Sequence, residues 1–218
     1  MAKSSTARKL DEIAAPPRLR RAGFGGGPPP VRPNLPILNN ARLAVVMLLA
    51  AELMFFAGLV GAFLVFRLSA TVWPPPFQPR LPVGVTGVNS VILLFSALTM
   101  HWAVMAARAD VASRLVRHLS ITALLGALFL LIQGYEWVRL VQFGLTTSSS
   151  VYGGLFYTLI GAHGAHVFGG LIWLFVVSWQ ARCRRFTAKN FVGVQTARMY
   201  WTFVVALWPV LYGLVYLY

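Results

Sequence analysis

The sequence predicts an all-α fold, an integral membrane bundle of five transmembrane helices with its amino terminus in the cytoplasm. Three observations lead there. Hydrophobic residues fill 58% of the 218 positions and charged ones 11%, with a mean hydropathy of +0.69, far from the makeup of a soluble domain. The apolar residues gather into five long runs. The basic residues behind the formal net charge of +14 lie outside or at the ends of those runs. They read as a topology signal, and no basic face threads a polar domain as nucleic-acid binding would require.

Residues 1–40 stand apart. A basic start, the acids Asp11 and Glu12 and the stretch FGGGPPPVRP combine glycines and prolines that sustain neither helix nor strand, so this region reads as a disordered tail. It lacks the apolar core and small-residue cleavage site of a secretory signal. Residues 41–218 form the membrane domain. A hydrocarbon layer of about 30 Å takes roughly twenty residues at 1.5 Å each, and the runs 43–68, 85–107, 115–141, 151–179 and 200–218 are long enough. Helices are required because backbone groups must be satisfied without water, and the unbroken runs lack the alternation of a barrel strand.

The loops set the orientation. Arg42 and the basic tail, the second loop (Arg108, Arg114, Arg117) and the fourth (Arg182, Arg184, Arg185, Lys189, Arg198) face only Arg67, Arg80 and Arg139 on the other side. Positive charge stays inside, which places the carboxyl terminus on the far side. Trp73-Pro74-Pro75-Pro76 is a stiff connection with an interfacial tryptophan, whereas 146–150 (TTSSS) is an ordinary polar turn. The single cysteine, Cys183, excludes an internal disulfide and any multi-cysteine metal site.

Polar residues at membrane depth are the candidates for function. Glu52 lies ten residues past Arg42 and fifteen before Arg67, roughly 15 Å into the layer. A carboxylate there costs about 2.5 kcal/mol or more, so it should be neutral, hydrogen-bonded or paired, and turned toward protein. It is a functional candidate, or a protonated interhelical tie. His163 and His166, within GAHGAHVFGG, share a helix face roughly 18 to 23 Å from the outer end, overlapping Glu52 in depth. His101 reaches a comparable level on the second helix. Small residues at Gly154, Thr158, Gly161, Ala165 and Gly169 make a stripe suited to close helix approach. Glu136 lies nearer the outer end, with Arg139 at i+3 for an ion pair and Gln133 one turn earlier for a buried polar cluster.

A metal would need three or four converging ligands from His163, His166, His101 and Glu52, and a lone His-x-x-His matches too easily to be a signature. The readings left open are structural histidines, metal or haem ligands, and lipid- or proton-linked groups. No phosphate loop, nucleophile triad or carboxylate pair suggests a catalytic residue in this chain.

Six pieces in order, AELMFFAGLVGAF around Glu52, WPP at 73–75, VNSVILL at 88–94, LIQGYEW at 131–137, VYGGLFYTLIGAHGAHVFGG at 151–170 and MYWTFVVALW at 199–208, resemble the cytochrome c oxidase subunit III family from about Arg42 to the end. The resemblance implies a non-catalytic accessory subunit of an aerobic haem-copper terminal oxidase in the respiratory chain. It implies a multi-pass protein of the bacterial inner (plasma) membrane with a periplasmic carboxyl terminus. Haem and copper would then reside in partner subunits I and II, with other respiratory subunits as further possible neighbours. No metal would bind here, and the chain would pack on subunit I, hold phospholipid and support proton uptake. Glu52, Glu136, His163 and His166 match acids and histidines of the family, which favours lipid- or proton-linked roles for them; His101 and Gln133 remain structural polar candidates.

Two departures stand out. Longer members have seven helices, the first two forming a wall of a lipid-filled cleft. In the last helix Thr202 and Val205 replace the family's usual His and Asp. Alternatives are an accessory subunit of a nitric oxide reductase or quinol oxidase and, from another class, an independent transporter or haem-binding protein.

Overall fold

The computed structural model describes residues 40–76, 79 and 81–217. The expected tail lies outside the described residues, except for Asn40, which opens the first helix. Five helices follow: α1 (Asn40–Ser69), α2 (Val83–Arg108), α3 (Ala112–Gln142), α4 (Val151–Arg182) and α5 (Val192–Tyr212), the last running into a π-helical turn, Gly213–Leu217. Each is long and apolar enough to span a membrane, and no strand occurs among the described residues.

Both ends of four expected helices lie within three residues of those observed, but α5 starts eight residues before position 200. Gln195 and Arg198 look like loop residues in the sequence. In the structure they occupy the first turns of a helix, where long polar side chains can reach back to the surface.

The chain leaves α2, α3 and α4 in the same way. Asp110 (φ 57), Gly144 (φ 89) and Arg184 (φ 53) adopt left-handed backbone just past the three helix ends. Each makes a pair of turn bonds, such as Gly144 N–H to Val141 O and Leu145 N–H to Leu140 O, both 3.0 Å, the Schellman arrangement that satisfies terminal carbonyls. Only the middle one uses glycine. The start of α4 is capped by Ser150, whose hydroxyl accepts the Gly153 N–H at 3.1 Å.

Helices α2 to α5 form the body. Trp201 and Trp208 of α5 are fully buried, and each indole N–H finds a hydroxyl on α2: Trp201 to Ser96 at 3.0 Å and Trp208 to Ser90 at 2.7 Å. Thr99 and Thr122 bond at 2.8 Å between α2 and α3, and the Asn89 amide donates to the Phe129 carbonyl at 3.1 Å. These bonds matter because lipid tails are as apolar as leucine, so packing and polar contacts must supply what water-driven burial cannot. Gly126 is a close fit: a Cβ there would lie 2.5 Å from the Trp201 ring.

Helix α1 lies at the edge. Of its 30 residues only Val45, Phe56 and Phe63 are buried. The stripe expected to admit a neighbouring helix is largely uncovered, with Thr158, Ala165 and Gly169 exposed. A Cβ on Gly161 would find its nearest atom, on Trp137, 3.8 Å away. Close approach within the body occurs instead at Gly126, Gly153 and Gly170.

Candidate functional site at the joint of α1 and α4

The depths of Glu52 and His166 agree, and so do their directions. Glu52 Oε2 lies 2.7 Å from His166 Nε2, and each side chain keeps about a fifth of its surface open, 20% and 19%. The other ring nitrogen of His166, Nδ1, lies 2.7 Å from the carbonyl of Ala162 one turn back. A carbonyl only accepts, so Nδ1 carries a hydrogen. Nε2 and the Glu52 carboxyl therefore hold one proton between them: an imidazole accepting from a carboxylic acid, or an imidazolium donating to a carboxylate. Either form is neutral overall, which is what allows the pair to sit at this depth.

Aromatic rings enclose the pair on the α1 side. Phe56 meets the His166 ring edge-on at 5.0 Å and Phe55 lies 5.9 Å from it. The Tyr200 hydroxyl donates to the His166 backbone carbonyl at 3.4 Å, which brings α5 against the same turn of α4.

His163 does something else. Three residues advance a helix by about 300°, so the two rings sit about 60° apart, and the bundle uses that angle to turn them toward different neighbours. His163 is fully buried and stacks on Trp208 at 4.9 Å and 28°, with Phe129 edge-on at 6.3 Å. Neither of its nitrogens has a hydrogen-bond partner among the described residues. The expected shared face is thus split between α1 and α5. His101 is exposed on α2 and joins neither histidine. No group of three or more His, Cys, Asp or Glu with metal-ligand geometry occurs among the described residues.

Gln133 and Glu136 form a separate cluster nearer the other end. Both are buried, the Gln133 amide donates to the Tyr216 hydroxyl at 3.3 Å, and Glu136 pairs with Arg139 at 3.5 Å. The pair is lopsided: the carboxylate side chain is 6% exposed and the guanidinium 46%. Surface ion pair and buried cluster are therefore both present, one at each end of the contact.

Sequence reasoning missed Arg42, whose guanidinium donates to Gln195 Oε1 and ties the start of α1 to the start of α5. It also missed the buried polar side chains of α2. Thr86, Asn89, Ser90, Ser96 and Thr99 recur on the buried face of that helix, a helical spacing of polar residues that marks an interhelical seam.

Comparison with known proteins gives one answer. Residues 33–218 match the family model described as cytochrome c oxidase subunit III. The "Probable cytochrome c oxidase subunit 3" of Nocardia farcinica is 36% identical over 178 residues, 82% of this chain and 88% of the relative. The "Cytochrome c oxidase subunit 3" of Synechocystis sp. is 40% identical over 174 residues, 79% and 73% of the two chains. The corresponding protein of Mycobacterium tuberculosis is 33% identical over 178 residues, again 82% and 88%.

Proposed function

Because the chain belongs to the cytochrome c oxidase subunit III family, and so is a non-catalytic, membrane-spanning subunit of an oxidoreductase complex, we propose that its work is to hold a lipid-bearing edge of the oxidase in place. In this reading the chain packs on subunit I, with subunit II in the same complex, and binds phospholipid. It supports proton uptake without haem or copper of its own. It lies in the bacterial inner membrane with the amino terminus in the cytoplasm and the carboxyl terminus in the periplasm. Among the described residues the basic side chains support that orientation: Arg42, Arg108, Arg114, Arg117, Arg182, Arg184, Arg185, Lys189 and Arg198 belong to one end, Arg67 and Arg139 to the other.

The observation that carries the reading is the Glu52–His166 pair. It joins the peripheral helix to the body through two ionisable side chains that hold one proton between them, where the ties within the body use neutral hydroxyl, amide and indole groups. The open face of α1 is the surface through which lipid or a neighbouring subunit completes the structure.

Two substitutions in the assembled oxidase test this. In Glu52→Gln the amide still donates to His166 Nε2 but cannot exchange a proton. Assembly and initial turnover should be retained, while the enzyme inactivates in fewer turnovers and retains less phospholipid. Glu52→Ala removes the bond as well and should loosen α1. Inactivation kinetics and lipid content equal to those of the unmodified complex in both variants would refute the role.

A further inference from the structure

A second site lies on the opposite side of α4, where α3 and α4 run antiparallel near the basic end of the bundle. The positions that face each other follow one register on each helix: 120, 123, 124 and 127 on α3, and 175, 178, 179 and 182 on α4. On α3 three of the four are small, Ser120, Ala123 and Ala127 forming the floor, while Leu124 is exposed at the rim. On α4 all but Ser178 are large, and the rings of Phe175 and Trp179 stand as an exposed wall. Small residues facing large ones normally close such a seam. Here the rings turn outward and a cavity of about 340 Å³ remains between the helices.

Its chemistry is graded along its length. The deep part, around Ala127 and Phe175, is apolar. At the shallow end stands Arg182, exposed, with one guanidinium nitrogen 3.5 Å from the Ser120 hydroxyl, so among the described residues most of its five donors are left for a ligand. Between them is Ser178. It is 6% exposed, it lines the cavity, and its hydroxyl has no hydrogen-bond partner among the described residues. A buried hydroxyl without a partner is uncommon, and one that lines an open cavity beside an arginine is what a ligand oxygen would satisfy.

We propose that this groove holds an anionic phospholipid of the leaflet at the basic end, with one acyl chain along Ala123 and Ala127, ester oxygens at Ser178 and the phosphate at Arg182. The volume lies at the low end of the roughly 300–1,000 Å³ typical of ligand pockets, which suits one chain. The exposed rim opens sideways into the bilayer, so the ligand enters from the membrane and not from water. Arg114, Arg117, Arg184 and Arg185 crowd the same end and favour an anionic headgroup over a zwitterionic one. The inference rests on the reading that this chain binds phospholipid, but gives that lipid an address separate from Glu52 and His166.

The test uses the intact oxidase in nanodiscs of phosphatidylcholine containing phosphatidylglycerol that carries a photoreactive group on one acyl chain. Labelled peptides should come from residues 120–127 and 175–182, and photoreactive phosphatidylcholine should label them less. Ala127→Phe fills the floor and should abolish that labelling. Arg182→Gln alters only an exposed side chain and should lower phosphatidylglycerol labelling to the phosphatidylcholine level, so the proposal stays testable if the first variant fails to assemble. Equal labelling by both lipids in the unmodified complex, labelling untouched by Arg182→Gln, or displacement by photoreactive fatty acid alone would overturn it. If groove labelling is absent while Glu52→Gln sheds phospholipid, the groove fails and the broader reading survives; if neither variant alters bound lipid, both fail.

Discussion

Helices α1 and α5 are both apolar enough to cross a membrane, yet they lead different lives. Nine of the 21 residues of α5 are buried, including two tryptophans, whereas α1 buries three of 30. The contrast shows that hydropathy identifies what enters a bilayer but not what enters a core, because lipid is as good a solvent for leucine as protein is. The difference lies in the polar and small residues. The body has the Trp201–Ser96 and Trp208–Ser90 bonds and a glycine shaped to Trp201. The polar ties of α1 among the described residues include Arg42 to Gln195 and Glu52 to His166. Aromatic contacts supplement them, among them Phe63 against Trp73, which in turn meets Tyr152.

Substitutions should separate the two regions. The largest effect is expected in the body: Gly126→Leu drives a side chain into the Trp201 ring and should cost about 3 kcal/mol, read as a lowered unfolding midpoint of the purified chain and poor recovery of the complex. Next comes Glu52→Ala, expected to cost about 1–2 kcal/mol and to act locally. Spin labels on α1 and α4 should report a broadened distance while the midpoint of the body hardly moves. If the midpoint falls as far as in Gly126→Leu, α1 is part of the body after all. Ser96→Ala leaves the Trp201 N–H without its acceptor and should cost about 1 kcal/mol, seen in the same midpoint. The smallest change belongs to neither region. Arg184→Gly relieves a left-handed residue (φ 53) and should stabilise by about 0.5 kcal/mol.

Much of this architecture was legible in the sequence, and the exceptions have a physical pattern. Span length follows from hydrophobic thickness, so four helices could be placed within a few residues. The fifth could not, because Gln195 and Arg198 are polar residues that a helix end accommodates. Depth was legible too: the rise per residue brings Glu52 and the two histidines to one level. Azimuth was not. Which of His163 and His166 turns to α1 and which to Trp208 depends on helix rotation, and rotation is set by packing that a string of apolar residues leaves open. The same ambiguity hid the outward direction of Thr158, Ala165 and Gly169, and it left open that His101 would turn to the exposed side of α2.

The central claim is that, among the contacts joining α1 to the body, Glu52 and His166 hold a shared proton. A side-chain-resolution map of the assembled oxidase tests it most directly. The carboxyl and Nε2 should stand in hydrogen-bond contact, near 2.7 Å, with Nδ1 still on the Ala162 carbonyl. A separation beyond about 4 Å, or a Glu52 carboxyl turned to a partner other than His166, would contradict it.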